Sequence, residues 1–188
     1  GVIRANPGQA VKKLKVQKKP PQFLTLPKLG QVLEECESLH IYTFIVLGAF
    51  TGLRKGEMER LAWDDMDYER GTITVREAKN NDFRVVAMNA LVRETLRRHP
   101  RHLHSPAILA GPKGGPYKDL RKGFEKALAK AGLPRIRIHD LRHSFASNLV
   151  TTGSSLVAVK ELLGHKDIQS TMIYAHLSPD YSQSAVDK

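Results

Sequence analysis

The chain has 188 residues, 41% of them hydrophobic, and sets 30 Lys and Arg against 19 Asp and Glu, for a formal net charge of +11. That length supports one domain with a proper core; the longest apolar run, Ile41 to Phe50, is too short to span a bilayer, the basic N-terminus lacks the apolar segment of a secretory leader, and the single cysteine, Cys36, excludes an internal disulfide. The positive field favours a polyanionic partner, most commonly nucleic acid.

Residues 1–28 contain seven Lys or Arg and no acid, and Pro7, Gly8, Pro20 and Pro21 interrupt any periodicity. Residues 1–22 therefore read as a basic arm or interdomain linker that continues from another domain and tracks phosphates. From Pro27 the pattern turns helical: Leu29, Val32 and Leu33 form a stripe, and Cys36 is placed on that helix as a small apolar residue. A second helix, His40 to Phe50, should stop at Thr51-Gly52, where glycine suits a C-cap. A short helix follows Arg54. Strands are expected near Met66–Tyr68, Thr72–Arg76 and Phe83–Met88, with turns at Glu69-Arg70-Gly71 and from Lys79 to Asp82. Helices are expected over about 89–98, 117–131, 139–152 and 155–163, with a short one leading to Tyr174. The fold class is mainly α with a small antiparallel β-sheet (α+β).

Several residues carry chemistry. His139 and Arg142, three apart, share a helix face, while Leu141, Phe145 and Leu149 point largely toward a core. Guanidinium matches a phosphate bidentately and stays protonated. Arg54 follows a glycine turn and opens a helix, a favourable place for an anion; its bland alternative is an ion pair with Glu57 or Glu59. Lys79 occupies a hairpin turn, His165 follows Gly164, and Tyr174 could equally be a core tyrosine with a satisfied hydroxyl. His139 and His143 have the i, i+4 spacing of a zinc pair, but Asp140 replaces the usual glutamate and Arg142 puts a cation beside the site. His99, His102 and His104 lie among Arg97, Arg98 and Arg101 and read as a solvated loop facing DNA. Asp64, Asp65 and Asp67 in W-D-D-M-D could hold Mg²⁺ as in a metal-dependent nuclease.

Order and spacing weigh more than any single residue. The succession TGLRKGE, K-N-N-D-F-R-V-V, HDLRHSFASNL and LLGHKDIQSTMIYAHL, from Leu24 to Leu177, resembles the tyrosine recombinases, the phage and mobile-element integrase family. The resemblance implies that family's catalytic-domain fold over residues 23–177. It implies Arg54, Lys79, His139, Arg142 and His165 as catalytic residues, Tyr174 as nucleophile and Glu57 as a supporting acid. The implied reaction is attack of the tyrosine oxygen on a DNA phosphodiester, leaving a 3′-phosphotyrosine and a free 5′-hydroxyl, with no cofactor, metal or ATP. Arg54 and Arg142 would neutralise the non-bridging oxygens, Lys79 would protonate the leaving oxygen, and His139 is the candidate acceptor of the tyrosine proton. The family's similar acidic turn favours a helix-to-strand turn for W-D-D-M-D. Two departures stand out: Asp82 occupies a position where a second basic residue is frequent, and the N-terminal helical domain is replaced by the arm, as in a catalytic-domain fragment. The implied partner is double-stranded DNA, bound by a homotetramer on paired sites that exchanges residues 178–188 between protomers. The implied location is the bacterial or phage-host cytoplasm, at the nucleoid. A non-cutting DNA-binding protein of the same fold is the remaining alternative.

Overall fold

The computed structural model describes residues 21–76 and 83–179. It comprises eight α-helices and one three-stranded sheet among these residues. Helix α1 (Leu26–Glu34) carries Pro27 in its first turn, where the missing N–H costs nothing, and buries Leu29 and Val32. Cys36 lies just past this helix rather than on it. Its thiol donates to the Val32 carbonyl, and burial pushes it up to about 11, so it packs as an inert small residue.

Helix α2 (Leu39–Thr51) is capped by the Ser38 hydroxyl, which accepts from the His40 amide. It is the central helix, with Phe44, Ile45, Val46 and Leu47 fully buried. It ends at Gly52, whose φ of 67° closes the C-cap; a Cβ there would also meet the Phe145 ring at 2.5 Å. The resulting sharp turn delivers Arg54 to the N-cap of α3 (Lys55–Arg60).

The 3₁₀ turn Trp63–Asp65 leads into β1 (Met66–Asp67), which pairs with β2 (Thr72–Arg76), and β2 pairs with β3 (Phe83–Ala87), all antiparallel in the order β1-β2-β3. Alternation puts Ile73, Val75 and Val86 inside and leaves Phe83 and Val85 exposed. The acids of W-D-D-M-D act as turn formers. Asp65 accepts from the Ala62 amide and pairs with Arg76, and Asp67 accepts from the Arg70 amide. Lys79 and Asp82 lie outside the described residues.

Four longer helices follow: α4 (Ala90–Arg98), α5 (Leu120–Lys130), α6 (Ile138–Thr151) and α7 (Leu156–Leu163); the short α8 (Gln169–Met172) comes last. Helix α5 starts three residues later than expected from residue 117, because the Tyr117 amide is held by the Leu109 carbonyl in a tight loop. The chain entering α1 is stitched to α6: the Leu24 amide donates to Ser144 Oγ, and Asn148 donates back to the Leu24 carbonyl. No helix of the described residues is long and apolar enough to cross a membrane.

His99 departs from the solvated loop expected for it. It is 4% exposed, its Nε2 meeting the Ile108 carbonyl at 2.8 Å and its Nδ1 meeting Thr43 Oγ1 at 2.7 Å. A carbonyl can only accept, so the proton sits on Nε2 and Nδ1 accepts from the threonine hydroxyl. The neutral ring is thus fully satisfied. Burial, then His40, pull His99 down to about 4 from 6.5. A depressed histidine contributes stability that is complete above the unfolded value and is lost as pH falls from 6.5 through about 4. The loss attributable to His99 amounts to roughly 3 kcal/mol. Urea midpoints measured across this window should fall more steeply for the parent than for His99→Gln; equal slopes would contradict this.

Candidate functional site

The site is assembled where two glycine-capped helix ends meet helix α6. Arg142, in the middle of α6, is 3% exposed and donates to the Gly52 carbonyl and to the Leu163 carbonyl, both at 2.6 Å. These are the terminal carbonyls of α2 and α7, so the guanidinium rests on the negative ends of two helices. Its fork is therefore spent on positioning those ends and leaves its charge centred between them. Burial, then the neighbouring Arg54 and Arg84, pull it down to about 10, which leaves it a cation at neutral pH.

Arg54 reaches the same place from the other side. Its guanidinium donates to Glu57 at 2.8 Å and to the Gly164 carbonyl at 3.4 Å, and its amide donates to Glu57 at 2.7 Å. His165 follows the αL residue Gly164, and its Nδ1 lies 2.9 Å from Thr171 Oγ1. Burial, then Arg142 and Arg54, hold His165 at about 4. Arg54, Arg142 and His165 thus converge on the C-terminal end of α7.

His139 opens α6 beside Arg137 and Asp140, with the Asp140 carboxylate accepting from the Arg137 amide at 2.7 Å. It lines a groove of about 1390 Å³ together with Lys55, Arg121, Arg135, Arg137 and His143. Burial, then Arg142, lower it from the usual histidine value, so its ring is mostly neutral at pH 7.

Tyr174 follows α8 and is 1% exposed. It packs in a small satellite core with Ala146, Val150, Val159 and Leu163. Burial pushes its hydroxyl up to about 12 against the opposing pull of Arg142. The hydroxyl lies 2.6 Å from Nδ1 of His143, not of His139. Helical spacing raised His143 only as half of a zinc pair; instead the His139 and His143 rings meet edge to face, 4.8 Å between centroids.

Arg84 is the second residue the sequence reading missed. It donates to Glu57 with both terminal nitrogens, at 2.9 and 2.7 Å, and both side chains are nearly buried. Burial alone would raise the Glu57 carboxyl, but the bonds from Arg84 and Arg54 outweigh it and hold Glu57 at about 2. One carboxylate therefore fixes two arginines, while Arg142 is fixed by backbone. The signal was available: with alternating strand faces, Arg84 falls on the same face as buried Val86.

The family model described as the phage integrase family matches residues 22–180. The chain is 31% identical over 195 residues to the tyrosine recombinase XerC of Lactobacillus delbrueckii subsp. bulgaricus, covering 95% of this chain and 66% of that protein. It is 32% identical over 166 residues to the tyrosine recombinase XerA of Saccharolobus solfataricus, covering 88% of this chain and 56% of that one. It thus spans about two thirds or less of these curated relatives. Among solved structures, the XerH site-specific recombinase bound to a palindromic difH substrate, a post-cleavage complex, matches with a TM-score of 0.75 and 28% identity, over 90% of this chain and 53% of that one. The catalytic domain of bacteriophage HP1 integrase matches with a TM-score of 0.67 and 29% identity, over 88% of this chain and 93% of that domain.

Proposed function

Because the chain belongs to the phage integrase family, we propose that residues 23–177 are a catalytic domain that cuts and rejoins double-stranded DNA through a 3′-phosphotyrosine intermediate. The observation that carries this reading is the convergence of Arg54, Arg142 and His165 on one helix end, with Tyr174 packed against that same helix. Two guanidinium charges held by fixed partners need no reorganisation when charge develops on a phosphate, which is where electrostatic stabilisation is strongest. In this mechanism the scissile phosphate lies beside Arg54 and within the field of the buried Arg142, with His139 and His165 adding hydrogen bonds. Tyr174 attacks phosphorus, and Lys79 protonates the departing 5′ oxygen. Tyr174 is 1% exposed as a residue, so its hydroxyl gains access to the phosphodiester beside His143, which lines the groove, when DNA binds. The phosphotyrosine bond conserves the energy of the broken link, so rejoining needs no nucleotide.

In the same proposal the lysines and arginines of residues 1–22 track phosphates, the full-length protein acts as a homotetramer on paired sites, and residues 178–188 exchange between protomers. It works in the cytoplasm at the nucleoid. Side-chain cations stand where a metal would otherwise neutralise charge. A nicked suicide duplex should therefore yield a protein–DNA adduct on a denaturing gel in excess EDTA. Loss of the adduct on chelation, with recovery in Mg²⁺, would favour a metal-dependent nuclease instead.

A further inference from the structure

We propose that His143 is the residue that takes the proton from Tyr174 as the tyrosine attacks. The inference rests on the reading of Tyr174 as nucleophile and adds the group that activates it. His143 Nδ1 is 2.6 Å from the tyrosine oxygen, and among the described residues that oxygen has no other hydrogen-bond partner. His143 also lines the groove that His139 and Arg137 line, so it touches both the buried tyrosine hydroxyl and the groove.

The charges around it favour the neutral, accepting form. His139, Arg137 and Arg142 on α6 and His165 after α7 all oppose a second positive charge; Asp140 alone favours it, and Arg137 already holds Asp140. Burial, then His139, bring His143 down to about 4, so it is unprotonated at neutral pH. In the tautomer that leaves Nδ1 free, the tyrosine O–H donates and the ring accepts. On attack the Oη–H bond breaks and its proton passes to Nδ1 while Oη bonds to phosphorus. The P–O5′ bond breaks with its electron pair, and the 5′ oxygen takes a proton from Lys79. The cationic ring then releases its Nε2 proton to water in the groove. His139 shares that groove, but the hydroxyl is not bonded to it.

The test is the rate of adduct formation on a suicide duplex between about pH 6 and 9, for the parent and for His143→Asn, which can still accept a hydrogen bond but cannot take up a proton. Without a base, attack depends on the small tyrosinate fraction, which grows about tenfold per pH unit below the phenol pKa. His143→Asn should therefore be slower by about 10²–10⁴-fold near neutrality and regain about tenfold per unit on the parent as pH rises. A ratio constant across pH would mean that His143 only holds the tyrosine in place and would overturn the proposal. Should His143→Asn fold poorly, His143→Gln carrying difluorotyrosine at position 174 takes its place. An acidified phenol needs no base, so that protein should recover adduct formation at neutral pH, and failure to recover would overturn the proposal. Tyr174→Phe runs alongside: if it still forms adduct, or the parent forms none, the nucleophile reading fails and the proposal with it.

Discussion

Tyr174→Phe should abolish the covalent adduct while leaving the domain folded. The substitution removes one oxygen and keeps the ring in its satellite core with Ala146, Val150, Val159 and Leu163. The folding cost is one hydrogen bond to His143, about 1 kcal/mol. Truncation to alanine would instead open a cavity costing roughly 3–5 kcal/mol, which would confuse loss of chemistry with loss of structure. The phenylalanine variant separates the two roles of a residue that is both buried and proposed as the nucleophile. Binding to DNA should persist, because Arg54, Arg142 and the groove cations Lys55, Arg121, Arg135 and Arg137 are untouched. Adduct formation at the parental rate with a phenylalanine at this position would remove Tyr174 from the mechanism.

Glu57→Gln should produce the largest loss of stability from a near-isosteric change. Glu57 is 5% exposed at its side chain and receives both terminal nitrogens of Arg84, itself 12% exposed, as well as Arg54. Removing its charge leaves Arg54, Arg84 and Arg142 to repel one another with no buried carboxylate between them. Breaking a buried pair of this kind costs roughly 3–5 kcal/mol, because the remaining ion stays desolvated. Urea denaturation at neutral pH measures it, and a change below about 1 kcal/mol would show that the pair is solvated or readily re-formed. The double variant Glu57→Gln, Arg84→Met should recover much of the stability, since neutralising both partners removes the uncompensated charge. The contribution of Glu57 itself is present above its unfolded pKa of 4.5 and is lost as pH falls through about 2. Stability should therefore fall first between about pH 6.5 and 4 with His99 and further between 4.5 and about 2 with Glu57.

The elements were legible because their signals are local. Pro27 at a first turn and Gly52 as a C-cap are chemical punctuation that tertiary packing did not override. Arg54, His139, Arg142 and His165 were legible as an ordered set, and the structure brings them around the ends of α2 and α7 and the start of α6. What sequence spacing could not supply is a contact across 31 residues, so the hydrogen bond of the tyrosine hydroxyl to His143, one helical turn after His139, was not foreseen. Two other misses had readable signals. His99 continues the buried stripe of Val92, Thr95 and Leu96 at helical spacing, yet the flanking arginines suggested surface. Arg84 occupies an inward strand position opposite Val75, which demands a buried counter-charge. The burial of Tyr174 had no sequence signal, because a tyrosine suits a core and a site equally well.

The most direct test of the account is the identity of the amino acid that carries DNA after cleavage. Tryptic digestion of the adduct should place the nucleotide on the peptide covering residues 167–188, which contains both Tyr174 and Tyr181. Fragmentation of that peptide should assign the phosphodiester to Tyr174, linked to a DNA 3′ end with a free 5′-hydroxyl on the released strand. Attachment at Tyr181, at a serine, or through a 5′-phosphate would contradict it.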